Sequence, residues 1–377
     1  MHPFAISIPV CRSVLSQPSR SVLWRASSCQ LRVALQTRVR HDGRDGKPTN
    51  PSVPRKSPAI ASARKVYFPP KTEDQGTPTT EAYAINENHQ QREGPTPRVQ
   101  FLRPAVFVLS LSTGMYCLCA YLEARKQVKE AARGYVPRPQ FFYPAAEPQD
   151  VIAQTWKDLK PIGKLTIGSI AILGAVHLSK YVAYSVWANM WHIPAMNRNY
   201  QFLSHIFVHS GPPHLLFNMY AFYQFVPQLG DAPLFEGNAN HMAAFLLSAG
   251  VLAGYAQHLI GVFKRGASFT RYALTPAGGA SGALFAAFGA YCFQFPDRQV
   301  GIILLPFYFD AIQFLPFVMA FDIWGLTFGF KSLNLGHGAH LGGACIGIAY
   351  SAFDGNNKIW KPLVRFFRNR LEKKRSS

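Results

Sequence analysis

Between Pro161 and Asp354 the chain places only eight Lys/Arg and six Asp/Glu in 194 positions. The interval is broken into apolar blocks of roughly spanning length, the pattern of a multi-span membrane domain. A soluble domain of that size would need a charged surface, with roughly 25% charged residues on average. The whole 377-residue chain has 15%. The expected fold class is therefore an all-α membrane protein, because only helices and closed barrels satisfy their backbone groups in lipid.

The charge that the middle lacks is concentrated at the ends. Of the net +20, residues 1–103 contribute +9 and residues 355–377 contribute +7. Basic flanks on a membrane domain attract anionic head groups, so the lipid bilayer is the expected partner and nucleic acid is not. A solvated basic tail over 355–377 is the plainer reading of that segment. The first 41 residues hold six arginines and no acid, a composition shared by organelle transit peptides. Residues 1–47 are read as a mitochondrial transit peptide, although chloroplast targeting shares the bias. Residues 48–103, rich in Pro, Thr, Asn and Gln, read as a flexible linker. The six cysteines show no framework spacing, and four lie in apolar segments, where a thiol acts as a small hydrophobe.

Residues 104–122 form an uncharged block long enough to span. A polar connector follows at 123–160, with a mixed-charge helical stretch over 123–133. Six further blocks follow near 165–188, 214–229, 239–263, 276–295, 312–329 and 337–353, giving one helix plus a six-helix core over 161–354. Lys180 falls inside the first of these and must face protein or snorkel. Pro306 and Pro316 make 299–311 read as an irregular loop.

Within these apolar blocks, polar residues are expensive to bury and mark functional candidates. Gly278-Gly279-Ala280-Ser281-Gly282 opens the fourth core block. It reads either as a small-residue packing seam or as a nucleophile with room for a substrate backbone, its own N–H joining an oxyanion hole. His337-Gly-Ala-His340 opens the sixth. A buried neutral imidazole needs a hydrogen-bond partner, and a hydroxyl on a neighbouring helix would supply one and be activated by it. Gly343 and Gly347 give that helix a close-packing face that would bring it against Gly282. In the second block, His214 and Asn218 share a helical face at i, i+4, as an oxyanion pair or as a polar bridge between helices.

No cofactor and no metal are expected. His205, His209, His214, His337 and His340 could gather around zinc, but no zincin-like motif accompanies them. Asp322 reads as an anchor at the end of the fifth core block, and neither it nor Asp310 is assigned a part in the chemistry.

His214-x-x-x-Asn218, Gly279-Ala280-Ser281-Gly282 and Ala339-His340-x-x-Gly343-x-x-x-Gly347, in that order, resemble the rhomboid intramembrane proteases over about residues 160–353. The transit peptide and the leading helix are similar to the mitochondrial, presenilin-associated rhomboid-like subgroup. The resemblance implies a 1+6 fold in the mitochondrial inner membrane, with the N-terminus in the matrix. It implies a serine–histidine dyad without a carboxylate: Ser281 the nucleophile and His340 the base, with the oxyanion held by His214, Asn218 and the Ser281 N–H. Phe285, one turn after Ser281, would orient the His340 ring, and Gly279, Gly282, Gly343 and Gly347 would serve packing. The implied reaction is hydrolysis of a peptide bond in or near a transmembrane segment. Substrates would be single-span membrane proteins such as imported precursors or a dynamin-like GTPase. The competing reading is a non-proteolytic membrane protein that binds or escorts transmembrane segments. A transporter would be expected to show internal repeats, and none is visible.

Overall fold

The computed structural model describes residues 97–133, 148–302, 306–330 and 335–376. The expected transit peptide, the linker up to residue 96 and the Pro-rich part of the connector lie outside them. The chain runs through α1 (Leu102–Arg133), α2 (Pro148–Asp158), α3 (Pro161–Ser179), α4 (Tyr184–Asn189), α5 (Gln201–Ser204), α6 (Pro212–Gly230) and α7 (Ala239–Leu259). It continues through α8 (Gly266–Leu274), α9 (Ser281–Gln294), the strands β1 (Gln299–Gly301) and β2 (Tyr308–Asp310), α10 (Ala311–Phe328), α11 (His337–Ala352) and α12 (Lys361–Ser376). The all-helical expectation holds.

Helix starts follow local chemistry. Pro161 opens α3 and Pro212-Pro213 opens α6, where the missing N–H would be unsatisfied in any case. Asn238 caps α7 by accepting the His241 N–H at 2.9 Å. Gln257, from the last turn of α7, caps α11: its Oε1 accepts the Gly338 and Ala339 N–H groups at 2.9 and 3.2 Å.

Four helices are long and apolar enough to cross a membrane among the described residues: α1, α3, the stretch Ala239–Phe263 and α10. The other three expected spans are helices in the expected places but differ in kind. Helix α6 has the length but carries His214, Asn218, Gln224 and Gln228. Helices α9 and α11 have 14 and 16 residues, about 21 and 24 Å at 1.5 Å per residue. Both fall short of a hydrocarbon core of about 30 Å.

Several boundaries differ from the sequence reading. Helix α1 continues through Arg133, so the charged stretch 123–133 extends the first span instead of opening a connector. Helix α3 starts at Pro161 and stops at Ser179, so Lys180 lies just beyond it, 2.9 Å from His177 Nε2. Residues 276–280 are non-helical, and α9 begins at Ser281. The region read as an irregular loop contains an antiparallel pair, Gln299 opposite Asp310 and Gly301 opposite Tyr308. The end of the supposed flexible linker is tied down: His258 Nε2 donates to the Gln100 carbonyl (2.8 Å), Tyr255 to that of Phe101 (3.1 Å), and Asn197 Nδ2 to that of Arg98 (2.8 Å). The basic tail is helical too, as α12, whose Val364 is buried with Trp360 against Ala120 and Ala124 of α1.

At the centre, α9 packs along α11, with α7 against both and α1 outside α7. The α9–α11 seam is made of glycines and alanines. A Cβ on Gly343 would collide with the Gly282 carbonyl oxygen, and one on Gly347 with that of Ala286. Close backbone approach of this kind is how helices associate where lipid removes the hydrophobic drive between them.

Candidate active site

The seam sets Ser281, first residue of α9, beside His340, fourth residue of α11. Ser281 Oγ lies 3.0 Å from His340 Nε2. His340 is 8% exposed, and its ring stacks on Phe285 at 4.0 Å between centroids and 3° between planes. The two expected partners and their expected orienting ring are thus in contact.

Behind His340 sits the residue that the sequence reading set aside. Asp322 Oδ1 accepts from His340 Nδ1 at 3.0 Å and from His337 Nδ1 at 2.6 Å. Asp322 is 1% exposed and lies in α10 nearly two turns before its end, so it does not anchor a helix terminus. A carboxylate is an acceptor only. It therefore holds a proton on Nδ1 of both rings and leaves His340 Nε2 as the acceptor facing Ser281. The signal in the sequence was a lone carboxylate inside an apolar block; its partners, 15 and 18 residues on, are not legible from spacing. The ligand atoms of Asp322, His337 and His340 lie within 4.8 Å of one another, close enough for a cation, but two donors and one acceptor already satisfy each other here.

The approach to Ser281 is fixed by the segment before α6. Ala277 and His192 exchange backbone hydrogen bonds at 2.8 and 3.0 Å, the Gly279 N–H donates to the His205 carbonyl at 2.8 Å, and the Ala280 N–H to His209 Nε2 at 3.4 Å. Gly279 has φ 135°, a conformation that L side chains rarely adopt. A Cβ there would stand 2.9 Å from His214 Cε1, so the glycine also lets the His214 ring lie against the turn. Burial holds His205 and His209, both outside the membrane-spanning helices, down at about 4, with His214 adding to the effect at His209. Burial also puts His192 well below its usual range, with His205 and His258 adding to it. These histidines serve as neutral hydrogen-bonding groups; His205 and His209 are two of the five that the sequence raised as candidate zinc ligands.

His214 and Asn218 face the same cavity as Ser281. His214 Nδ1 lies 3.2 Å from Ser210 Oγ. With that hydroxyl as donor, the ring proton sits on Nε2, directed at the Gly279 turn. Asn218 Nδ2 donates to the His214 carbonyl at 2.7 Å, so one of its N–H groups is already engaged, which the expectation of two free donors did not include. The cavity, about 1600 Å³, extends from this point between α6 and α10, lined by Phe217 and Gln224 on one side and Phe314 and Val318 on the other. Hydroxyl, imidazole and carboxylate in line, beside a donor-lined cavity, can carry out acyl transfer to water.

Residues 196–357 match the family model described as Rhomboid domain. Over 165 residues the chain is 35% identical to the human presenilin-associated rhomboid-like protein, mitochondrial, covering 43% of this chain and 40% of the relative. It is 33% identical to the zebrafish (Danio rerio) presenilin-associated rhomboid-like protein A, mitochondrial (43% and 39%), and 34% to the mouse protein (43% and 40%). The match spans about two-fifths of the length of these curated relatives.

Proposed function

Starting from a multi-pass mitochondrial membrane protein that carries a rhomboid domain, we propose a serine endopeptidase of the inner membrane that hydrolyses peptide bonds in or near transmembrane segments. The observation that carries this reading is the relay Ser281 Oγ to His340 Nε2 at 3.0 Å and His340 Nδ1 to Asp322 Oδ1 at 3.0 Å. The core spans in this reading are α3, α6, α7, α9, α10 and α11, with α1 preceding them, residues 1–47 as transit peptide and the N-terminus in the matrix.

His340 Nε2 takes the Ser281 proton as Oγ attacks the scissile carbonyl. The oxyanion that forms lies near the Ser281 N–H, His214 Nε2 and Asn218, each such donor being worth roughly 3–4 kcal/mol of barrier. The imidazolium is held by Asp322 and gives its proton to the leaving amine. Water, activated by the same ring, then clears the acyl-enzyme. Because α9 is too short to span, Ser281 lies below the head groups, and the cavity supplies the water path that hydrolysis at that depth demands. A substrate segment reaches Ser281 between α6 and α10 and must unwind to present its backbone. The substrates in this reading are single-span inner-membrane proteins, imported precursors or a dynamin-like GTPase among them.

The test is cleavage of a single-span reporter by the purified chain in liposomes, beside folded Ser281→Ala and His340→Ala. Loss of cleavage in both supports the assignment. Equal cleavage by all three would sink it, and an inert wild type that still binds the reporter would favour the escort reading.

A further inference from the structure

The two ends of the bundle differ in charge, and the cavity, which runs from Gln299 and Tyr308 at one end to Lys264 and Arg271 at the other, reaches the more one-sided of them. Hydrogen bonds gather four segments at the Ser281 end. His258 holds Gln100, His192 pairs with Ala277, His209 meets Ala280 and Gln257 caps Gly338. Those segments, 97–101, 180–211, 260–280 and 335–336, carry Arg98, Lys180, Arg198, Lys264, Arg265 and Arg271, and no Asp or Glu. At the opposite end carboxylates and bases are mixed and paired, as in Lys160–Asp231 at 2.8 Å and Lys361–Glu236 at 2.7 Å.

Two of the bases belong to the site. Lys264 and Arg271 line the cavity that contains Ser281, and apart from histidines they are the only ionisable cationic side chains to do so; no carboxylate lines it among the described residues. Neither has an ion pair among the described residues. Both are carried on or beside α8, which is fixed: Tyr272 donates to the His258 carbonyl, and its ring occupies the space a Gly261 side chain would need. The chain then runs from α8 directly to Ser281 through 275–280. A peptide entering the cavity at this end passes two cations with no carboxylate among the described lining residues, in a cleft that focuses their field.

We infer that Lys264 and Arg271 are specificity determinants, selecting substrates with acidic residues close to the cleaved bond on the side facing the cavity mouth. The selection is two-sided: an Asp or Glu gains an ion pair, and a Lys or Arg meets like charge with no carboxylate nearby to relieve it. The same cations could attract anionic head groups. Their place on the wall of the cavity that holds Ser281 favours a peptide.

The inference rests on the protease reading, so the experiment separates the two. Three single-span reporters differing only in the flank of the scissile segment (Asp/Glu, Gln, or Lys) are presented in pure phosphatidylcholine vesicles to wild type and to Lys264→Glu/Arg271→Glu. Wild type is expected to cut the acidic reporter about tenfold faster in kcat/KM than the Lys reporter, as two partly exposed pairs would give. The gap should shrink with added salt and invert in the double variant. Lys264→Gln/Arg271→Gln, expected to abolish the preference, serves if charge reversal impairs folding. Equal rates for all three reporters overturn the inference, as does a preference that emerges only when anionic lipid is added. Should nothing be cut, the protease reading fails by itself, and reporter affinity for Ser281→Ala then decides: tighter binding of the acidic flank upholds the determinants, and equal binding removes them.

Discussion

Helices α9 and α3 are built for opposite surroundings. In α9, ten of 14 residues are buried, seven of them Gly, Ala or Cys. In α3, four of 19 are buried, and Ile172 and Leu178 stand 53% and 64% exposed. The first packs protein on protein through small residues, whereas the second turns large apolar side chains outward to lipid. Residues with similar hydropathy therefore carry different constraints: along the seam of α9 and α11 a side chain must fit against a neighbouring backbone, and along the outer faces of α1 and α3 it need only be apolar.

The largest effect should come from crowding the seam. Gly347→Val places side-chain atoms on the Ala286 carbonyl, an overpacking that the two short helices cannot absorb. Loss of at least about 4 kcal/mol is expected, beyond the ordinary range of point mutations, so that little monodisperse protein survives extraction. Gly174→Val in α3, with nothing within 4 Å of the new Cβ, should shift thermal unfolding by no more than about 0.5 kcal/mol. Similar melting temperatures for the two variants would erase the distinction.

The same contrast explains what could be read from the sequence. Hydropathy found α1, α3, α7 and α10, and also the shorter or more polar α6, α9 and α11, because an apolar block shows in composition whether lipid or protein covers it. Glycine spacing at 343 and 347 found the seam, and with it the approach of Ser281 to His340. Asp322 was visible as a buried charge, but its use depends on the rotation of α10 against α11, which no local pattern encodes. Helix α12 was missed because its apolar face, including Val364 and Trp360 just before it, is narrow and basic residues dominate its mean hydropathy. The tie of Gln100 to His258 joins residues 158 apart and leaves no local trace.

Next in size is Asp322→Asn. It keeps the shape behind His340 but can offer an N–H where two imidazole N–H groups need an acceptor, which disturbs the tautomer at Nε2. A drop of about 10²-fold in kcat with little change in KM is expected, measured on the reporter above. Unchanged kcat would restore the two-residue dyad that the family resemblance implied.

A third test is titration of the Ser281 approach. His205 and His209, buried and depressed to about 4, bind protons more weakly in the folded chain than their ordinary value near 6.5 allows when unfolded. Their contribution is therefore fully present above about pH 6.5 and lost as pH falls toward 4. Each depression corresponds to a loss on the order of 3 kcal/mol across that window. Melting temperature in detergent should fall between pH 6.5 and 4, and less steeply in His209→Gln. A flat profile would remove these histidines from the support of the turn.

The smallest effect lies at the periphery, where a polar contact replaces the seam. Glu123 of α1, 6% exposed, accepts from Asn240 Nδ2 of α7 at 2.9 Å and from Gln127 Nε2 at 3.1 Å. Hydrogen bonds between membrane helices average only about 0.6 kcal/mol, because the separated helices find other partners. Asn240→Ala should thus cost about that much in unfolding free energy, Gln127 still serving the carboxylate. A loss as large as that of Gly347→Val would mean that α1 is held to the core by this pair, and that the outer helix depends on specific contacts as strictly as the centre does.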